Sequence, residues 1–184
     1  MPPDILQQSL ESLASTNDVT RAIAVFCANV LVFLVALLLL AAVVWGRDRL
    51  TLAIVVRLLL LTVVAYALSR IGKVLISDPR PYLVTHTQPL TTVSADNGFP
   101  SDHVLLAAAL SAAMSWIERR LVVLCAILTL LVALARMAVG AHHTLDVVGS
   151  IVIVLLAYLI VRWLPLPANW NQSLLPWRGQ PTTQ

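Results

Sequence analysis

Three short clusters in the chain hold residue types that do chemistry together. Lys73 is followed after six residues by Arg80-Pro81, Pro100-Ser101-Asp102-His103 forms a second group, and Arg136 precedes His142, His143 and Asp146 in a third. Lys73, Arg80 and Arg136 make a multivalent clamp for an oxyanion such as phosphate, the arginine forks adding bidentate contacts. Ser101 follows a proline at the start of a helix, where free backbone N–H groups form a ready anion site. His142 and Asp146, at i and i+4, share a helix face. A carboxylate bonded to one ring nitrogen fixes the tautomer and leaves the other nitrogen nucleophilic. His143 lies three residues before Asp146, so spacing alone leaves both histidines open as the nucleophile. His103 is available as a general acid for a leaving oxygen. These parts suit metal-free phosphoryl transfer through a phosphohistidine, with no cofactor and no cluster of acidic ligands suited to Mg²⁺. Singly, each cluster has a plainer reading, because charged groups at helix ends snorkel to a membrane surface. Their convergence on one side of the protein is what points to chemistry.

The elements that must position these clusters follow from composition. Of 184 residues, 59% are hydrophobic and 11% charged, against roughly 25% charged in an average soluble domain. The mean hydropathy is +0.89. So few charges cannot cover a water-facing surface, which excludes a soluble globular domain, a disordered chain and a basic-patch nucleic-acid binder. The net charge of +3 then reads as loop topology and not as affinity for a polyanion. Cys27 and Cys125 both lie in apolar runs and read as small buried hydrophobes in opposite leaflets, not as a disulfide.

Residues 22–45 carry no charge over 24 positions, enough to cross the ~30 Å hydrocarbon core with some tilt. A second run, from Leu50, is interrupted only by Arg57. Three later uncharged runs, Val104–Ile117, Leu121–Ala135 and Val147–Val161, have 14, 15 and 15 residues, below the ~20 that a span needs. To cross, these helices must extend into His103, Arg136 and Asp146, which places ionisable groups inside the bundle. The expectation is an all-α polytopic membrane bundle forming a single domain. It has an amphipathic interfacial helix at 4–18, suggested by Leu6, Leu10 and Leu13, and spans at 22–45, 50–72, 102–118, 121–140 and 144–163. An outer loop covers 73–100 and an irregular tail 165–184. The acidic start lacks the basic n-region of a cleaved signal and is expected to be retained.

The three clusters then share one end of the bundle. The other end holds Arg47, Arg49, Arg119, Arg120, Arg162 and Arg178. The positive-inside rule makes that end and the C-terminus cytoplasmic and the site external or periplasmic.

K-x6-RP, PS-x-H and R-x5-H-x3-D, in this order, resemble the three signature motifs of the type-2 phosphatidic acid phosphatase superfamily. That group comprises integral-membrane lipid phosphatases, soluble acid phosphatases and vanadium haloperoxidases. The resemblance implies His142 as nucleophile, Asp146 as its orienting partner and His103 as the acid. It implies Lys73, Arg80, Ser101 and Arg136 as phosphate binders. The family spacing leaves His143 as a neighbour or substrate contact. Asp102 stands where many members have Gly, and PSDH is similar to the form in the bacterial undecaprenyl-diphosphatases linked to bacitracin resistance. That likeness implies a cell-membrane enzyme releasing undecaprenyl phosphate from its diphosphate for cell-wall (peptidoglycan) synthesis. Phosphatidate and phosphatidylglycerophosphate are the alternative substrates, and a non-hydrolytic lipid-phosphate binder or transporter is the rival class. Retention of His103, His142 and Asp146 speaks against the rival, since binding alone needs only the cations.

Near a bound phosphate the Asp102 carboxylate is repelled, so it is expected to turn away and pair with Arg80 or Lys73. Arg57, about 10 Å deep at 1.5 Å per residue, is expected to snorkel, an internal partner being the minority reading. His86 is expected to be solvated. Ala107, Ser111 and Ser115 form a stripe for close helix packing. Oligomeric state leaves no signal in the sequence.

Overall fold

The structure, a computed structural model, describes residues 4–174. It is all-α, with eight α-helices besides three short 3₁₀ turns among the described residues: α1 (Ile5–Ala14), α2 (Asp18–Asn29), α3 (Leu31–Trp45), α4 (Leu52–Leu75), α5 (Pro81–Thr85), α6 (Asp102–Ile117), α7 (Val122–Ala138) and α8 (Thr144–Trp163). Their starts are written locally. Asp4 accepts from the Gln7 N–H at 3.1 Å to cap α1. Asn17 and Thr20 form a capping box on α2, and the Thr51 hydroxyl caps α4.

Three helical stretches are long and apolar enough to span a membrane: Leu52–Leu75, Arg119–Ala138 and Thr144–Trp163. The pair α2 and α3 qualifies together as a fourth. The apolar α6, with 16 residues, reaches about 24 Å, short of the hydrocarbon core by length alone. Outward faces of the helices expose Phe33, Leu37, Leu59, Ile127 and Leu155, as a lipid-facing surface requires. Trp45 and Trp163 stand exposed at the ends of α3 and α8, where aromatic rings settle at an interface.

Three details depart from the expectations of the sequence. The helix expected at 22–45 begins at Asp18 and bends by 44° between Asn29 and Leu31. Asn29, the one amide in that apolar run, donates to the Thr91 hydroxyl at 3.2 Å and accepts from Arg136 at 3.4 Å. The helix therefore bends where a polar side chain is drawn sideways into the bundle. Helix α1 does not lie in the interface alone, since it packs along α7 with Gln7 1% exposed, while Ile5, Leu6 and Leu13 remain outside. The part of the expected irregular tail within the described residues folds back on the α3–α4 turn. The Leu174 N–H donates to the Leu50 carbonyl at 2.8 Å and the Ser173 hydroxyl to Asp48 at 2.6 Å. The remainder of that tail, with Arg178, lies outside the described residues.

Helix α6 occupies the centre and touches α3, α4, α7 and α8. Its small residues allow this. Ala107 is fully buried, the Ser111 and Thr129 hydroxyls share a hydrogen bond at 2.8 Å, and Ser115 donates to the Tyr158 hydroxyl at 3.0 Å. Packing and interhelical hydrogen bonds thus use the same stripe. Arg57 follows the minority reading: it donates to the Val161 and Arg162 carbonyls at 2.9 and 2.8 Å, adding a donor at the carbonyl end of α8, where Val161 also accepts from the Leu164 N–H. Cys27 and Cys125 are free thiols, and Cys125 is fully buried.

The loop between α4 and α6 is held by Asn97 and Phe99. Asn97 accepts from the Asp78 and Phe99 N–H groups at 3.0 and 3.1 Å and donates to the Lys73 and Ile76 carbonyls at 3.0 and 2.7 Å. The Phe99 ring lies in a notch between Gly72 of α4 and Gly149 of α8. A β-carbon at Gly149 would meet the ring at 2.2 Å, so only glycine admits it there. This anchor brings the loop down onto the N-terminus of α8, and the site is built at that point.

Candidate active site

The end of α7 and the start of α8 are joined by a tight segment that buries His142, 2% exposed. Its Nδ1 faces two acceptors, the Gly98 carbonyl at 3.1 Å and Asp146 Oδ2 at 3.4 Å. Its Nε2 faces a donor, Arg80 Nη1, at 3.2 Å. This arrangement selects the tautomer with the proton on Nδ1 and the lone pair on Nε2. Burial first, then the charges of Arg136 and Arg80, push the His142 pKa down to about 3. The imidazole is therefore neutral and available as a nucleophile at physiological pH. Asp146 is completely buried and is held by the His143 backbone N–H at 2.9 Å. Gly98 approaches so closely that a β-carbon there would lie 2.9 Å from Asp146 Oδ2.

A cavity of ≈ 180 Å³ opens beside His142. It is lined by Arg80, Arg136, His103 and Asp102, together with Thr92, Val93 and Ser94 of the loop. Arg80 and Arg136 are each 5% exposed, and their guanidinium groups make the cavity an anion site in a medium where charge is poorly screened. Two cations, a neutral imidazole whose Nε2 lone pair is released when Arg80 turns to a phosphoryl group and a second imidazole on α6 can bind that group, attack it and protonate what leaves.

Not every residue singled out from the sequence lines this cavity. Lys73, on the last turn of α4, bonds instead to Asp96 Oδ2 at 3.2 Å. Ser101 is wholly buried next to α8, its N–H 3.4 Å from the Asp146 carbonyl and its hydroxyl without a protein partner among the described residues. The ring of His143 faces Asp78, 3.3 Å from Nδ1 to Oδ1. His86 is exposed in the loop.

The expected pairing of Asp102 with Arg80 or Lys73 is not found. Both cations are taken by Asp96, whose Oδ1 accepts from Arg80 Nη2 at 2.8 Å. The Asp102 carboxylate, exposed at the first turn of α6, borders the cavity. It also borders an apolar groove of ≈ 300 Å³ lined by Leu39, Leu58, Leu61, Tyr66 and Leu105. The reason is positional: Asp96 sits on the loop that folds over both cations, whereas Asp102 is fixed to the helix start.

The sequence pattern of the PAP2 superfamily matches residues 54–170. The chain belongs to the PAP2 superfamily. It is 28% identical over 157 residues to the undecaprenyl-diphosphatase BcrC of Bacillus subtilis (strain 168), covering 85% of this chain and 81% of that one. Its fold is similar to that of the first transmembrane PAP2 type phosphatidylglycerolphosphate phosphatase from Bacillus subtilis. The TM-score there is 0.53 at 21% identity, covering 86% of this chain and 91% of that one. With its apolar helices, the chain is a membrane phosphatase of the PAP2 family.

Four residues around this PAP2 site escaped the sequence reading: Asn29, Asp78, Asp96 and Gly98. Asn29 had a signal, as the lone amide in an uncharged run. Asp78 stands two residues before Arg80 inside the first motif, and Gly98 two residues before the second. Asp96 had none, since a carboxylate in a polar loop ordinarily faces solvent.

Proposed function

We propose that this PAP2 protein hydrolyses a lipid diphosphate at the outer membrane leaflet, undecaprenyl diphosphate being its substrate. The observation that carries the chemistry is the position of His142, with acceptors on Nδ1, an arginine donor on Nε2 and a cationic cavity beside it. The likeness to an undecaprenyl-diphosphatase over most of both chains supports the choice of lipid. With the site cations Lys73, Arg80 and Arg136 set apart, Arg47, Arg49, Arg119, Arg120 and Arg162 at the far end outnumber Arg21 and Arg70 at the site's end, which supports a site facing outward by the positive-inside rule.

In the first step the His142 Nε2 lone pair attacks the terminal phosphorus as the bond to the leaving oxygen breaks. Arg80 swings from Nε2 onto the phosphoryl oxygens, and with Arg136 it balances the charge that spreads over them. The Nδ1 proton stays on the ring and faces Asp146, which stabilises the imidazolium as it forms. His103, in its protonated form, gives its proton to the leaving phosphate oxygen of the lipid. In the second step neutral His103 takes a proton from water, the water oxygen attacks phosphorus, and the P–N bond breaks to release phosphate and neutral His142. Lys73 adds to phosphate affinity through its charge from outside the cavity, and Ser101 through its place at the start of α6 and not through a contact with the phosphate. The lipid tail occupies the apolar groove that Asp102 joins to the cavity.

Phosphate release from a panel of detergent-solubilised lipids tests this: undecaprenyl diphosphate, phosphatidate and phosphatidylglycerophosphate, each with EDTA present. Turnover of the diphosphate well above the two monoesters is the expected result. Preference for either monoester replaces the substrate, and binding without release by an intact protein places the chain among non-hydrolytic binders.

A further inference from the structure

Behind His142, on the side away from the cavity, three buried polar atoms have no hydrogen-bond partner among the described residues: Asp78 Oδ1, Asp146 Oδ1 and His143 Nδ1. Ligand atoms of these same three residues lie within 4.8 Å of one another. Asp78 is 3% exposed and Asp146 not at all. Two ionised carboxylates side by side in so dry a place repel strongly, and neither could satisfy the other. Buried polar atoms in native proteins are nearly always bonded, so the cluster lacks hydrogens and not acceptors.

We propose that Asp78 is a positioning residue of the catalytic apparatus: it carries a proton that it donates to Asp146, and it accepts from His143 Nδ1. One proton on the pair turns three orphaned atoms into a connected network and leaves a single negative charge behind His142. No bond to substrate is involved, and the proton remains between the carboxylates throughout the reaction. The proposal rests on the reading of His142 and Asp146 given under the proposed function.

The surroundings are built for this. The Asp78 backbone is held from both sides, its N–H by Asn97 Oδ1 at 3.0 Å and its carbonyl by the Gly98 N–H at 2.8 Å. The charged and titratable groups facing it are Asp146 and His143 from the start of α8 and Asp4 from the N-terminal segment. Burial, then the neighbouring Asp146 charge, raises the Asp78 pKa above the ordinary carboxyl range. The role assigned to Asp146 also needs a single orientation, since the ring it faces must keep Nε2 aimed at the cavity. A donor on Asp146 Oδ1, together with the His143 N–H on Oδ2, locks both oxygens.

Infrared difference spectra of the full chain in detergent, recorded in H2O and D2O at neutral pH, read the proton directly. The wild type should show the C=O stretch of a protonated carboxylic acid, and Asp78→Asn should lack it. This readout needs no turnover, so it stands whether or not the substrate assignment holds, and His142→Ala should leave the band in place. In activity, Asp78→Asn keeps a donor and should retain kcat within about threefold, whereas Asp78→Leu should lose about 10–100-fold in kcat with KM within about twofold. Because an amide cannot ionise, the alkaline limb of the Asp78→Asn profile should lie at higher pH than that of the wild type. Absence of the band in the wild type, or its survival in Asp78→Asn, overturns the proposal. So does superposition of the two pH profiles, or loss of wild-type activity in EDTA with recovery on adding a divalent ion, which would put a cation where the proton is assigned.

Discussion

Asp4 and Thr144, 140 residues apart, are joined by two hydrogen bonds to one carboxylate: the Thr144 N–H at 2.6 Å and its hydroxyl at 2.9 Å. The same carboxylate caps α1 through the Gln7 N–H. One side chain thus closes the positive ends of two helices, and the second of them, α8, carries Asp146 in its first turn. The N-terminal helix is tied in this way to the segment that holds both histidines. Asp4→Ala should destabilise the protein by about 0.5–2 kcal/mol, the ordinary worth of a cap, seen as a lower Tm in detergent. Burial raises the Asp4 pKa, but the bonds from Thr144 and Gln7 outweigh it and the net shift is downward. Its stabilisation is therefore fully present above the ordinary carboxyl pKa and lost as the pH falls through the lower folded value. A Tm difference between wild type and Asp4→Ala that persists unchanged into strong acid would contradict this.

The two adjacent histidines separate by function. His142→Ala should abolish phosphate release, by at least about 10⁴-fold, the scale on which loss of a nucleophile acts. His143→Ala keeps the backbone N–H that holds Asp146 and should lose only about tenfold. Acid-stable mass addition is not expected, but a base-stable, acid-labile phosphoenzyme should form in the wild type and be absent from His142→Ala. Equal loss in both variants would remove His142 as the nucleophile.

His142 should remain neutral far into acid, because its pKa lies near 3 in the folded protein against about 6.5 for a free imidazole. The unfolded chain binds this proton first, so the contribution of His142 to stability is complete above pH 6.5 and declines below it. Nitrogen NMR of histidine-labelled protein should report one ring protonated on Nδ1 alone from pH 7 to about pH 4. Titration of that ring near 6.5 would contradict the burial and the arginine neighbours described above.

Asp96 holds Lys73 and Arg80 together. The Ser94 hydroxyl first, then Arg80 and Lys73, keep its carboxyl well below the ordinary range, so it stays charged wherever the enzyme is assayed. Asp96→Ala should release Arg80 from its orientation toward His142 and lower kcat/KM about tenfold, a loss of roughly 1.4 kcal/mol. Asp102→Asn acts in the opposite sense. Removing an anion from the cavity wall should strengthen inhibition by vanadate several-fold, measured as a lower half-inhibitory concentration. Unchanged inhibition would mean that the Asp102 charge is not felt in the cavity.

Arg57 tests the bundle at the end away from the site. Arg57→Met removes the donor to the Arg162 carbonyl and one of two donors to the Val161 carbonyl and should cost about 1–3 kcal/mol of stability. KM should not move. A change in KM at unaltered Tm would assign Arg57 a role in substrate binding.

Hydropathy and spacing are local quantities, and what depends on them was legible in the chain itself. The shortage of charge assigned the bilayer, the uncharged runs marked the helices, and the short runs from Val104, Leu121 and Val147 placed ionisable groups inside the bundle. His142 and Asp146 stand four residues apart, so their partnership could be read from spacing, but the shared helix face expected of them is not found: His142 precedes the N-cap of α8 and reaches Asp146 from the connecting segment. Contacts between distant segments could not be read that way, because many arrangements of the same helices satisfy the same pattern. Tertiary structure alone decided that Asp96 and not Asp102 neutralises Lys73 and Arg80, and that the Gly98 carbonyl shares the Nδ1 proton of His142. It likewise brought Asp78 beneath Asp146 and Asp4 to the start of α8. Each of these is a polar group that must find a partner once water is excluded, and which partner it finds depends on where folding brings the rest of the chain.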